Sequence, residues 1–326
     1  MSSINKVATI RSVPSRSDAE ILYDGHIHMP THWPAMKDMD SPARFAAKAK
    51  RAGITGGMII SPPPRDRDLE APVSNAERMD AVLDYCGKLK NYYPCYWINP
   101  TEPDAVRQVV TAKEKGIRAL KVICSFHEPA AGLECYRMAA QVDMPILFHS
   151  GSLWDGEVSA RFNRPANWEC MLDVYGCRFC LAHISWPWQS ECLALFGKIN
   201  QANFTRKDRK CDMYVDCSPG TPECDREDIF RRFGLLGYDL SSKLIWGVDS
   251  GVANYSYEYA KWIYDWDVKM FKDLQKKWGR WKAFRCTGSF MAAQQKSKNG
   301  PERDFNAVIH NAMHKNLLRF LGEKTE

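Results

Sequence analysis

Between Ile21 and Ser250 the chain repeats one rhythm: a short apolar run of strand length, then a longer stretch with helical spacing. The runs are Ile21 to Met29, Thr55 to Ser61, Tyr92 to Asn99, Arg118 to Ile123, Pro145 to Ser150, Phe179 to Ser185, Met213 to Ser218 and Leu244 to Ser250. Strands separated by helices pair in parallel through crossovers, and eight such units close a (β/α)8 barrel. The intervening segments carry helix signals. Ser41-Pro42 reads as an N-cap with a first-turn proline opening a helix to Lys50, and Ser74 to Leu89 is apolar-periodic. Pro103 to Lys115 stops at Gly116, and Leu133 to Gln141, Ala166 to Val174, Gln189 to Ile199 and Asp225 to Phe233 fill the remaining gaps.

The predicted fold is therefore α/β, a single TIM barrel over residues 1–326, with an extra helical segment after strand eight. Neither a longer internal repeat nor a low-complexity linker divides it. Two stretches depart from the rhythm. Ser61-Pro62-Pro63-Pro64-Arg65-Asp66-Arg67 is a stiff charged loop on the rim, and Tyr255 to Phe284 is aromatic-rich with one or two helices expected. Polar residues Gln294 to Arg303 read as a loop, and Phe305 to Leu321 as a final helix that closes the barrel from its outer layer.

The net charge of +6 is local: residues 251–300 hold ten Lys and Arg against four Asp and Glu. Lys and Arg mixed with Trp and Tyr at helical spacing read as a solvated face over an aromatic core, so a lid or a homodimer interface is expected there rather than nucleic-acid binding. No run has the roughly 20 apolar residues of a membrane helix, and the first twenty residues lack the apolar core of a signal peptide, so the expectation is a cytoplasmic chain. The twelve cysteines lie scattered in apolar runs, as buried thiols do. Cys177 and Cys180, three apart on a strand, should face opposite ways.

Ionisable residues collect at the carboxyl ends of the predicted strands, the face on which barrels of this kind carry their sites. His26 and His28 end strand one, alternating so that both, with Asp24, share a side. Strand four carries Lys121, strand five ends in His149, strand six in His183 and strand eight in Asp249. Burying each of these at the end of an apolar run is costly without a partner, and clustered imidazoles with a carboxylate are a donor set for zinc, with manganese as the alternative. On rim loops, Arg65, Arg161 and Arg164 could clamp a carboxylate, and Trp186 could line a pocket. His310 and His314, four apart on the final helix, read as surface residues.

Five motifs, Asp24-Gly25-His26-Ile27-His28, Pro145-Ile146-Leu147-Phe148-His149-Ser150-Gly151, Leu181-Ala182-His183-Ile184-Ser185, Trp246-Gly247-Val248-Asp249-Ser250 and Asn316-Leu317-Leu318-Arg319-Phe320, occur in one order over residues 21–322. In this order the chain resembles the amidohydrolase superfamily, in the branch that includes aminocarboxymuconate-semialdehyde decarboxylase. The resemblance implies one divalent metal held by His26, His28 and His149, with Asp249 completing or hydrogen-bonding the sphere and taking a proton from water. It implies that His183 faces substrate as acid, base or polarising group. Lys121 would be an ordinary cation near the site, in contrast to the carboxylated lysine of binuclear branches. The expected activity is a metal-dependent hydrolase of a small ester, lactone or amide, with a carboxylate on the substrate as an option. A decarboxylase or hydratase is the first alternative, and an inactive barrel serving as a binding protein the second.

Overall fold

The computed structural model describes residues 21–64, 73–206, 208, 210–236, 238–279 and 305–325. The strands are β1 (Tyr23–His28), β2 (Gly56–Ile60), β3 (Tyr92–Trp97), β4 (Ala119–Val122), β5 (Ile146–Phe148), β6 (Arg178–Leu181), β7 (Asp212–Asp216), β8 (Leu244–Ile245) and β9 (Ser250–Gly251). Each of β1 to β8 pairs in parallel with the next in sequence, except that β8 and β9 divide the eighth stave between them. β8 pairs with β7 and β9 with β1, so the ring closes across residues 246–249. Gly25 N–H donates to the Trp246 carbonyl at 2.9 Å inside that seam.

Helices α1 (Pro42–Arg51), α2 (Asn75–Cys86), α3 (Ala105–Lys115), α4 (Leu133–Gln141), α5 (Gln189–Thr205) and α6 (Glu223–Leu236) form the crossovers. Ser41 caps α1 by accepting from Arg44 N–H, and Ser74 with Glu77 makes a capping box on α2. Gly116 ends α3 in the left-handed conformation that its missing Cβ permits. Between β5 and β6 the expected α-helix is a 3₁₀ run, Pro165–Asp173. After β9, α7 (Tyr257–Trp278) is one helix. The polar first twenty residues, the loop from Gln294 to Arg303 and the end of the basic aromatic segment lie outside the described residues. None of the described helices is long and apolar enough to cross a membrane.

Two apolar clusters separate the inside of the ring from the layer around it. Tyr23, Met58, Ile60, Cys95, Ala119, Leu147, Cys180, Tyr214 and Ile245 fill the interior, while Ile59, Leu120, Phe148 and Phe179 face the helices. Cys177 and Cys180 fall in opposite clusters, as strand alternation requires. The chain's last described elements are α8 (Phe305–His310), a π turn (Asn311–Lys315) and α9 (Asn316–Leu321). They correct the expectation of an outer-layer helix: Leu317, Leu318, Phe320 and Leu321 join the interior cluster. The α9 side chains thus plug the barrel at the amino ends of its strands, and His314 packs edge-on against Tyr23 with ring centres 4.7 Å apart.

Candidate functional site

Counting in twos along each strand from an interior apolar residue leads to a polar one at the carboxyl end. Ala119 leads to Lys121, Leu147 to His149, and Tyr214 to Asp216 and then Ser218. Strand β1 breaks the count. Strict alternation from Tyr23 would place Gly25 inward and His26 outward, but the pairing with β2 shifts between Asp24 and Ile27. That irregularity resets the register, so His26 and His28 reach the site. Asp24 does not face the rings as expected. Its carboxylate accepts from His26 N–H at 3.0 Å, Val248 N–H at 2.9 Å and the Tyr255 hydroxyl at 2.8 Å. Burial pushes its carboxyl up to about 7 against those three donors.

Three donor atoms converge at the end of β1. His26 Nε2 lies 3.1 Å from His28 Nε2 and 3.4 Å from Asp249 Oδ1, and His28 Nε2 lies 3.3 Å from the same oxygen. His26 is fully buried, whereas Asp249 is about a third exposed, so the cluster opens toward solvent on the side of the eighth stave. Asp249 has φ of 53°, the left-handed region that a non-glycine residue enters at a cost of roughly 1–3 kcal/mol. Burial acts to raise its pKa, but the imidazoles of His26, His28 and His183 outweigh that and hold it well below the usual carboxylate range.

Asp216, which the strand-end reading passed over, anchors this cluster. Its Oδ2 accepts from His26 Nδ1 at 2.8 Å, and its Oδ1 accepts from the backbone N–H groups of His183 and Ser218, each at 2.9 Å. With Nδ1 donating to a carboxylate, His26 presents Nε2 as a lone pair to His28, Asp249 and Lys121. Burial opposes ionisation of Asp216, yet its donors and the neighbouring imidazoles keep it below the ordinary range. Burial, reinforced by Lys121, lowers His26 to about 4. Lys121 Nζ sits 3.3 Å from His26 Nε2. The lysine is buried beneath the cluster, and burial lowers its pKa against the pull of Asp249 and Asp216.

His183 follows β6 in a turn where three consecutive residues, His183, Ile184 and Ser185, have φ of 60°, 45° and 60°. Such backbone persists only where surroundings over-determine it. Here Asp216 holds the His183 N–H, Thr221 donates its hydroxyl to the His183 carbonyl, and Ser185 Oγ donates to Ser150 Oγ at 2.8 Å. The ring stacks on His26 with centres 5.2 Å apart, and its Nε2 lies 3.9 Å from Asp249 Oδ2. A Cβ at Gly220 would lie 2.4 Å from His183 Cγ, so glycine is what lets the imidazole lie there.

His149 stands beside His183, ring centres 5.0 Å apart, and is not drawn into the triangle of His26, His28 and Asp249. Among the described residues its Nε2 is buried without a hydrogen-bond partner, as is His28 Nδ1. Burial, then His183, lowers its pKa well below the usual imidazole value. The group of His26, His183 and Asp216 is also close enough to hold an ion, but those atoms are already engaged with one another and with Ser218.

The rim candidates divide. Arg164 pairs with Glu191 and lies over Trp188, so its guanidinium ties the β5 loop to α5. Arg161 is exposed and lies over Phe162. Trp186 donates its indole N–H to Asp225 at 2.7 Å and stacks with Trp154. Arg65 lies outside the described residues.

No protein-family model matches the chain, and no curated protein matches it by sequence. Solved structures do. A TIM-barrel protein of Bordetella bronchiseptica aligns over 93% of this chain and 99% of its own, with 14% identity and a TM-score of 0.57. A 4-oxalomesaconate hydratase from Rhodopseudomonas palustris aligns over 93% and 96%, with 11% identity and a TM-score of 0.52. An amidohydrolase from Burkholderia multivorans aligns over 93% and 100%, with 9% identity and a TM-score of 0.50. At these identities the likeness shows the fold: the barrel described above is one that this amidohydrolase and this hydratase share.

Proposed function

We propose that the chain is a metal-dependent hydrolase acting on a small ester, lactone or amide. One observation carries this reading: His26 Nε2, His28 Nε2 and Asp249 Oδ1 form a triangle with sides of 3.1, 3.3 and 3.4 Å. Ligands bound to zinc at about 2.0–2.2 Å in tetrahedral array stand about 3.4 Å apart, so the spacing matches that of a coordination sphere. Two imidazole lone pairs and a carboxylate also repel one another unless a cation or proton lies between them. The donor set fits zinc first and manganese second, one ion per chain, with Nε2 of His149, which has no hydrogen-bond partner among the described residues, as the fourth candidate ligand. When bound, the metal supplies Lewis acidity to a carbonyl and lowers the pKa of water.

The chain's own groups do the rest. Asp216 orients His26, Asp249 is ionised and able to accept a proton, and His183, two staves away after β6, faces the same space as Asp249. Arg161 is the described rim guanidinium left to meet a substrate carboxylate, and Lys121 adds positive charge from below. The decarboxylase or hydratase reading uses the same residues; the hydratase among the similar structures favours keeping it as the second choice. The proposal extends to a homodimer through α7, where Tyr259 and Trp262 are exposed and stacked. A monomer in solution scattering would remove that part.

Elemental analysis of the purified chain tests the core of the proposal. About one zinc or manganese per chain is expected, falling to near zero in His28→Ala and Asp249→Ala and persisting in His183→Ala. Two per chain would make Lys121 a bridging ligand, and none after reconstitution would leave the binding-protein reading. Acid release from a lactone panel supports hydrolysis, and carbon dioxide release or water addition with unsaturated acids supports the lyase.

A further inference from the structure

Ser218 has one hydroxyl proton and two neighbours able to accept it. Its Oγ lies 2.5 Å from Asp216 Oδ1 and 2.8 Å from His183 Nδ1, with all three residues buried. An ionised carboxylate outcompetes a neutral imidazole nitrogen for that proton, because charge-assisted O–H···O bonds are shorter and roughly twice as strong as neutral ones. Asp216 is the ionised partner, since it already collects His26 Nδ1–H on one oxygen and two backbone N–H groups on the other. Once the proton is given to Asp216, Ser218 Oγ can only accept from His183, so His183 Nδ1 must be a donor. The 3.3 Å approach of His26 Nδ1 to the same oxygen agrees, as it brings a second N–H toward an accepting hydroxyl.

We infer that Ser218 is a positioning residue that fixes His183 in its Nδ1–H tautomer. A neutral imidazole protonated there carries a bare Nε2. That lone pair lies 3.9 Å from Asp249 Oδ2, so a group entering between the two must be a donor or a cation. In its neutral form His183 can therefore accept a proton at Nε2 from substrate or water and has none there to give. One buried carboxylate thus sets two rings, His26 directly and His183 through the serine hydroxyl. The role of His183 in turnover rests on the reading of the site as a metal-dependent hydrolase, but its tautomer is a property of the folded chain alone.

Nitrogen NMR of the full, chelator-treated chain with ring-labelled histidine, at mildly alkaline pH, reads the tautomer without substrate or metal. Signals present in the wild type and absent in His183→Gln identify the ring. The expected result is a protonated Nδ1 and a bare Nε2 for His183. In Ser218→Ala that single pattern should be lost as the Nε2–H form appears, and Ser218→Thr, which keeps the hydroxyl, should restore it. A wild-type His183 protonated at Nε2, or an unchanged pattern in Ser218→Ala, would overturn the inference. Should Ser218→Ala fail to fold, the wild-type spectrum still decides. A chain that binds no metal and hydrolyses nothing would end the functional proposal and leave this spectrum unchanged, so the two failures are distinguishable.

Discussion

Asp216 holds His26 through a 2.8 Å bond between residues 190 positions apart, and the bond fixes which nitrogen of His26 faces the donor triangle. Removing the carboxylate's charge while keeping its shape isolates that role. Asp216→Asn is expected to weaken zinc binding about 10- to 100-fold, the usual effect of losing the partner behind a ligand. Competition with a chromogenic chelator measures it, and unchanged affinity would mean that His26 needs no orienting partner.

Gly220 leaves room for the His183 ring. A methyl group there meets His183 Cγ at 2.4 Å and Nδ1 at 2.6 Å, closer than any real contact, and His183 is held by a strained turn with little freedom to yield. Gly220→Ala should therefore lower turnover by an order of magnitude or more while metal content stays near that of the wild type. Loss of metal along with activity would show that the displacement passes on to His26.

Acidification should destabilise the chain. His26 is lowered from 6.5 to about 4, and His149 and His183 are lowered as well, chiefly by burial. Between about pH 6.5 and 4 the unfolded chain binds protons that the folded chain refuses, so stability falls as pH falls. Asp24 works in the other direction. Raised from 3.8 to about 7, it contributes stability that is complete below its unfolded value and is lost as pH rises through 7. Three imidazoles oppose one carboxyl, so the melting temperature of the metal-free chain should drop across this window. Asp24→Asn should make the drop steeper, and a flat or rising curve in the wild type would contradict the assignment.

Arg226 and Asp267 form a fully buried pair with bonds of 2.8 and 2.5 Å. Arg226 also donates to the Cys217 carbonyl at 2.6 Å, and Trp246 donates its indole N–H to Asp267 at 3.0 Å. The pair thereby ties α6 and α7 to the backbone next to Ser218 and to the eighth stave. Taking away one partner strands a buried charge, so Arg226→Ala is expected to cost about 3–5 kcal/mol in urea unfolding. A smaller loss would mean that water reaches Asp267.

The eight strand runs were legible because each is apolar, strand-sized and bounded by turn residues, and all eight overlap the staves observed. His26, His28, Lys121, His149, His183 and Asp249 stood out because an ionisable group ending an apolar run is conspicuous. Asp216 was harder to see, since Asp212-Met213-Tyr214-Val215-Asp216 ends in a residue that resembles a turn former; counting in twos from Tyr214 would have found it. The bulge in β1 left no mark that alternation could use, and so Asp24 was placed on the wrong face. The left-handed turn at His183 was invisible for a related reason: its residues are histidine, isoleucine and serine, and the groups that hold them there are distant in sequence. The α9 plug depends on which face of a helix meets the barrel floor, which helical periodicity alone does not specify.

The seam between β9 and β1 has a consequence for how the chain is made. His26 and His28 belong to the first stave and Asp249 to the last, so these donors are separated by nearly the whole barrel during synthesis and meet only when the ring shuts. An ion shared by both would act as a clasp across the closure, and its affinity would add directly to the free energy of shutting the ring. The rate at which metal is captured during refolding then becomes a clock for the final step of assembly.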